Sequence, residues 1–248
     1  MNRYFLELSY DGSAYCGWQV QPNGITIQEV LERCLSLQLG TDIKVTGAGR
    51  TDTGVHALQT FAHFDAPFSE IPDSFTYRLN SFLPPDIAVR KILAVTPEAH
   101  ARFDALSRSY IYKICTGKNP FLINKALWIK QMPDIERMNL AAEYIKGQHD
   151  FSSFCSHKSD TENKICTVNT AEWRMNNDIL EFHICADRFV MNMVRSLTGT
   201  LLEVGSNKRN PQDMKEILSK TDRRAAGPNA APYGLYLSAV TYPSHIFV

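Results

Sequence analysis

The sequence predicts an α+β fold in two lobes, and three observations carry that prediction. The order strand, helix, strands occurs twice, first from residue 3 and again from about residue 105. Apolar residues switch repeatedly between the two-residue period of strands and the 3.6-residue period of helices. Capping signals mark the helix ends, and turn residues separate the segments. The 248 residues allow one large domain or two modest ones with a sizeable core.

Residues 3–10 alternate as a strand that ends at the turn YDGS. TIQEVLERCLSLQLG (26–40) is a helix with both ends marked. Thr26 and Glu29 form a capping-box pair, Ile27, Val30, Leu31, Cys34 and Leu35 make one apolar stripe, and Gly40 supplies a left-handed stop. A short strand over 43–46 leads into a glycine-rich loop, and ALQTFAHFD (57–65) continues as a strand. DSFTYRLNSFL (73–83) reads as a second helix, capped by Asp73 and stopped by Pro84 and Pro85. DIAVRKILAVT (86–96) is β-rich.

In the second half, RSYIYKIC (108–115) alternates as a strand, with Tyr110 and Tyr112 on one face. DIERMNLAAEYIKG (134–147) is a helix capped by Asp134 and ended by Gly147, with GQHDF closing it. ICTVNTAEWRM and DILEFHICA form a hairpin through NND. RFVMNMVRSLTGTLLEVG (188–205) reads as one long helix with Val190, Val194, Leu197 and Leu201 on its core stripe. Pro211 opens a further helix after Asn210, and YGLYLSAVTYP closes the chain as a strand. The expected lobes are 1–104 and 105–248, joined through residues around 97–108.

Composition is that of an ordinary globular protein, 44% hydrophobic and 21% charged. Lys+Arg and Asp+Glu balance at 26 each, so any site for a polyanion must come from local clustering. Six cysteines are scattered with no C-x-x-C pair, which argues against a disulfide framework. No apolar run approaches a membrane span and MNRYFLELSYDG has no signal-like core, so a reduced, soluble, cytoplasmic protein is expected.

GAGRTDTGVHA (47–57) concentrates the chemistry. Asp52 could be a turn residue, since Asp and Gly gather where chains reverse. It could equally be a nucleophile: Arg50, two residues earlier, favours the ionised carboxylate such a role needs. A phosphate-loop reading fails on spacing, for the G-x-x-x-x-G-K-[ST] lysine is missing. DTG is also the tripeptide of acid proteases, whose two carboxylates share a proton. Here there is no second D-[ST]-G, and Arg50 and Thr51 replace the apolar strand that would bury such a group. HDFSSFCSH (149–157) lacks metal-ligand spacing, and His56 belongs to no ligand set, so no metal site is expected.

This loop resembles the catalytic loop of the tRNA pseudouridine synthase A family, and the resemblance runs the length of the chain. It includes YDGSAYCGWQ (10–19), ARFDALSRSYIYKI (101–114), GQHDFSSF (147–154), RFVMNMVRSLTGTLLEVG and AAGPNAAPYGLYLSAVTY (225–242), in the family's order. It implies a fold of two RRM-like, ferredoxin-like lobes. These form a central, mostly antiparallel sheet with a cleft between them. It also implies conversion of uridine to pseudouridine at positions 38, 39 and 40 of the tRNA anticodon stem-loop, by a homodimer without metal or organic cofactor. By the same pattern Asp52 is the nucleophile, Tyr110 contacts the extruded base and Arg195 orients Asp52. Arg50 meets RNA phosphate or helps eject the base.

The residue types suit that chemistry independently. The reaction breaks an N-glycosidic bond and forms a C–C bond at the same sugar carbon, so a covalent handle on the base or the ribose is useful. A base taken out of its stack needs an aromatic platform. Arg195 on an otherwise apolar helix needs a partner, and a guanidinium fork matches carboxylate or phosphate. Lys208, Arg209, Lys215, Lys220, Arg223 and Arg224 cluster as a solvated face or a phosphate track. Two positions depart from the family pattern. Val20 stands where a basic residue often follows GWQ, and Arg188 precedes FV where a small residue is usual; Arg188 is an added RNA contact or a surface variation. The rival reading from another class is a non-catalytic RNA-binding module of RRM-like topology, which shares the sheet, the aromatics and the basic patch but has no need of Asp52 beside Arg50.

Overall fold

The computed structural model describes residues 1–248 apart from Ser69 and Asp73; the expected helix cap at Asp73 therefore lies outside the described residues. In chain order the elements are β1 (Asn2–Tyr10), α1 (Ile27–Leu39), β2 (Thr46–Gly47), β3 (His56–Ala66), α2 (Ser74–Phe82), β4 (Ile87–Ala94) and β5 (Ser107–Cys115). There follow β6 (Leu127–Trp128), α3 (Ile135–Glu143), β7 (Gly147–Asp150), β8 (Ile165–Asn176), β9 (Ile179–Ala186), α4 (Met193–Gly205), α5 (Asp213–Lys220) and β10 (Leu235–Thr241). Among the described residues no helix is long and apolar enough to cross a membrane.

The fold is α+β in two compact units, Met1–Leu106 with Tyr236–Val248, and Ser107–Leu235. This corrects the division at residue 104, which assigned the whole C-terminal segment to the second lobe. The last strand returns to the first unit because β10 pairs in parallel with β3, Tyr236 opposite His56 and Leu237 opposite Ala57. Tyr242 then packs edge-on against Phe5 and Phe61, with ring centroids 5.1 and 5.2 Å apart.

In the first unit the strand order is β4-β1-β3-β10, with β2 paired to β3, and every pairing except β3–β10 is antiparallel. The α1 stripe foreseen from spacing is buried in full. Thr26 Oγ1 accepts the Glu29 N–H at 3.3 Å and Gly40 takes φ +68°, so both helix ends are as expected. The strand expected over 43–46 shrinks to Thr46–Gly47. Side chains of α1 satisfy that backbone instead: Ser36 Oγ accepts from Ile43 N at 2.9 Å, and Glu32 accepts from Val45 N at 3.0 Å.

The second unit orders its strands β5-β9-β8-β7, all antiparallel, with β6 parallel to β5. The β8–β9 hairpin turns at Asn177, whose φ of +54° an asparagine tolerates. Asp134 caps α3 by accepting from Arg137 N at 3.0 Å. GQHDF is not a helix terminus; residues 147–150 form β7 against β8. The long helix expected from residue 188 begins at Met193, because Asn192 at φ +64° cannot continue a right-handed helix. Residues 211 and 212 form a turn ahead of α5, so Pro211 precedes that helix by two residues.

A buried charge arrangement tests the first unit's stability. His63 on β3 is 7% exposed, and its Nδ1 accepts the Ala101 N–H at 3.1 Å. Burial, then the Arg3 guanidinium and His100, push its pKa down to about 4. The unfolded chain, with an ordinary imidazole near ~6.5, takes up a proton that the native state refuses. Stability is complete above that value and is lost as pH falls toward 4. Roughly 2 kcal/mol should disappear between about pH 7 and pH 5. Urea midpoints at the two pH values measure it, and His63→Gln, which keeps an acceptor for Ala101, should flatten the difference.

Candidate active site

In the first unit the loop carrying Asp52 is held by the segment 10–18. At its entry, Ala48 N donates to Phe61 O at 2.7 Å. Thr51 is gripped twice: its carbonyl accepts the Trp18 N–H at 3.1 Å, and its Oγ1 meets the Tyr10 hydroxyl at 2.8 Å. The Val55 N–H returns to Asp52 O at 3.1 Å, and Gly54 N donates to Tyr15 O at 3.3 Å. DTG is therefore a tight turn, as its composition suggested, and that turn holds Asp52 half-buried at its first position. Arg50 is exposed two residues ahead.

Close approach of the two segments requires glycine. A Cβ on Gly12 would lie 1.9 Å from Val55 O, and one on Gly17, at φ +83°, would lie 2.5 Å from Thr51 O. Buried His56 locks the exit of the loop. Its ring stacks on Tyr236 at 4.6 Å, and its Nδ1 lies 3.1 Å from Gly12 N and 3.0 Å from Asp11 Oδ1. That nitrogen has one in-plane site, and the backbone-fixed Gly12 N–H claims it, leaving the ring's proton for Nε2. The Asp11 oxygen accepts instead from Ser13 N at 3.1 Å and Ser13 Oγ at 2.7 Å. Tyr15 donates to Asp86 at 2.6 Å, and burial together with that bond drives its phenol above the ordinary range.

The second unit holds the other foreseen residues. Tyr110 is half-buried on β5 opposite Ile184, and Phe189 meets its ring edge-on at 5.0 Å and 83°. Arg195 is half-buried on α4; its Nε donates to Ala230 O at 2.8 Å and its Nη1 to Asn192 Oδ1 at 3.0 Å. The Arg188 N–H donates to Asp187 Oδ1 at 2.6 Å. Several residues of the basic cluster are engaged within the chain. Arg209 pairs with Glu203 at 2.5 Å, Arg224 with Asp222 at 2.7 Å, and Arg223 donates to Asn229 Oδ1 at 3.0 Å. Arg224 holds the Asp222 carboxyl down at about 2. Lys208, Lys215 and Lys220 are exposed. Among the described residues no three His, Cys, Asp or Glu side chains group so as to hold a metal ion.

Sequence reasoning missed Tyr10, Tyr15, Trp18 and His56 as loop holders, and Phe189 beside Tyr110. The signal was present in part, since YDGSAYCGWQ was singled out without a task. The bracing makes a clean prediction. Gly12→Ala must displace the Val55 backbone and should cost about 1–3 kcal/mol. Gly49→Ala, whose Cβ meets nothing within 4 Å, should leave the denaturation midpoint unchanged.

A family model described as tRNA pseudouridine synthase matches residues 8–104 and 141–243. A tRNA pseudouridine synthase A of Azobacteroides pseudotrichonymphae is 43% identical over 247 residues, covering all of this chain and 99% of the relative. Another, of Bacteroides fragilis, is 45% identical over 249 residues, with the same coverage. Among solved structures, a Cbf5-Nop10-Gar1 complex is similar over 80% of this chain and 45% of its own, at a TM-score of 0.36 and 14% identity, and nothing further rests on that likeness. With matched segments spanning both units and full-length identity above 40%, the chain belongs to the tRNA pseudouridine synthase A family of isomerases.

Proposed function

We propose that this isomerase converts uridine to pseudouridine at positions 38, 39 and 40 of the anticodon stem-loop, with Asp52 as its nucleophile. The braced loop supports the reading most directly. Asp52 opens a turn whose preceding and following backbone is tied down by Trp18 and Tyr15, so the carboxylate is presented in one geometry rather than several. Asp52 adds either to C6 of the base, tethering it, or to C1′ of the ribose, displacing it; in both routes the N1–C1′ bond breaks with its electron pair going to N1. The base turns, C5 bonds to the same C1′, C5 gives up its proton and N1 gains one, and the bond to Asp52 breaks to return the free carboxylate. The reaction is a rearrangement with no net electron transfer, so it calls on no redox partner.

The remaining roles follow the family motifs. Tyr110 carries the extruded base, and its edge-on contact with Phe189 supports that platform by fixing the ring. Arg195 is the partner of Asp52, and Arg50 meets phosphate near the reacting nucleotide. Arg188 and the segment with Lys208, Arg209, Arg223 and Arg224 run along the RNA backbone. In that segment the exposed Lys208 supplies free charge more readily than Arg209, which Glu203 already engages. The working form is a cytoplasmic homodimer.

Tritium release from tRNA labelled at uracil C5 tests the core of this reading. Wild type should release tritium and Asp52→Ala should fall to background; equal release from both would refute the nucleophile. Arg195→Met should cripple turnover far more than folding, read by single-turnover rate against denaturation midpoint. For the basic segment, Lys208→Ala should weaken tRNA binding across sequences and lower the salt slope of log affinity by roughly 1.

A further inference from the structure

We propose that Asn192 is a positioning residue for Arg195, acting through its side-chain carbonyl and its left-handed backbone together. The inference rests on the role given to Arg195 above. Asn192 occupies the N-cap of α4, where an asparagine side chain normally accepts a backbone N–H from the first turn. Here it makes no capping bond. Its Oδ1 accepts from Arg195 Nη1 at 3.0 Å instead, one turn along the helix. Its backbone carbonyl still opens the helix by accepting the Ser196 N–H at 2.9 Å. The side chain thus forgoes a stabilising cap to hold an arginine.

The rest of the grip comes from residues 225–231, which lie along α4. The Arg195 carbonyl accepts from Ala230 N at 2.9 Å, while Arg195 Nε donates to Ala230 O at 2.8 Å. This reciprocal pair is kept in register by close packing further along, where a Cβ on Gly199 would lie 1.7 Å from Pro228 O. Gly227 N also donates to Thr200 Oγ1 at 2.9 Å. With Nε held by one acceptor and Nη1 by another, both the plane and the rotation of the guanidinium are set. An arginine otherwise surrenders much rotamer freedom when it must find a geometry during reaction. The left-handed φ of +64° is what brings Oδ1 back toward the helix; a right-handed residue here would continue the helix and point the side chain elsewhere.

The substitution Asn192→Gly separates aiming from stability, because glycine accepts the left-handed backbone and removes only the amide. Turnover of labelled tRNA should fall roughly ten- to hundredfold, the range for losing a hydrogen bond to a charged group. KM should stay within about twofold and the urea midpoint unchanged, because no cap bond is lost. Asn192→Asp keeps an acceptor oxygen and should recover most of the rate. In an Arg195→Met background, Asn192→Gly should cost nothing more, since its partner is already gone. If Arg195→Met is slow but Asn192→Gly turns over normally, or slows the Arg195→Met enzyme by its full factor, the positioning role is overturned alone. Normal turnover in Arg195→Met overturns the reading of Arg195 and this inference with it.

Discussion

The grip on Thr51 is the constraint on which the rest of the first unit's site depends. Its carbonyl is held by the Trp18 N–H and its hydroxyl by Tyr10, so the residue before Asp52 is fixed in both backbone and side chain. Each such bond adds only about 1 kcal/mol net, yet leaving either buried group unpaired would cost more than the bond contributes. The same segment also starts α1, through Ile27 N to Gly17 O and Gln28 N to Trp18 O. Helix entry and loop geometry therefore stand or fall together. For the nucleophile proposed at Asp52, such a loop would lower the entropy lost on reaction, which is the general advantage of a preorganised site.

The second unit solves a related problem with a helix. Val194, Leu197, Leu201 and Val204 of α4 are buried, while Arg195 between them needs acceptors. Carbonyl groups supply them, from Ala230 and Asn192. These two acceptors fix the direction of the guanidinium from two of its nitrogens. The basic segment further along behaves differently: Glu203 and Asp222 compensate Arg209 and Arg224 inside the chain. The exposed Lys208, Lys215 and Lys220 carry the remaining positive charge of that segment.

Local readings were accurate where the determinants are local. The α1 cap and stop, the α3 cap and the β8–β9 hairpin each rest on residues within a few positions of one another, and each forms as its sequence predicts. Other readings failed where more than the local apolar pattern decided. Residues 147–150 resemble a helix terminus until β8 offers them a ladder. The apolar period from residue 188 reads as continuous helix because Val190 is buried like the helical residues, although Asn192 interrupts the backbone. The C-terminal strand joins the first unit by parallel pairing with β3, far away in sequence, and periodicity carries no information about such a partner.

The sequence by itself determined the fold class and the family motifs, and the resemblance those motifs carry singled out Asp52, Tyr110 and Arg195. Such motifs are runs of neighbouring residues, so they are legible without a folded backbone. Tertiary structure alone decided what holds each of them. Tyr10, Tyr15, Trp18 and His56 are unremarkable in composition, and Asn192 looks like an ordinary cap. Their tasks arise from hydrogen bonds between chain segments, and directional bonds of that kind depend on positions and angles that only the folded backbone sets.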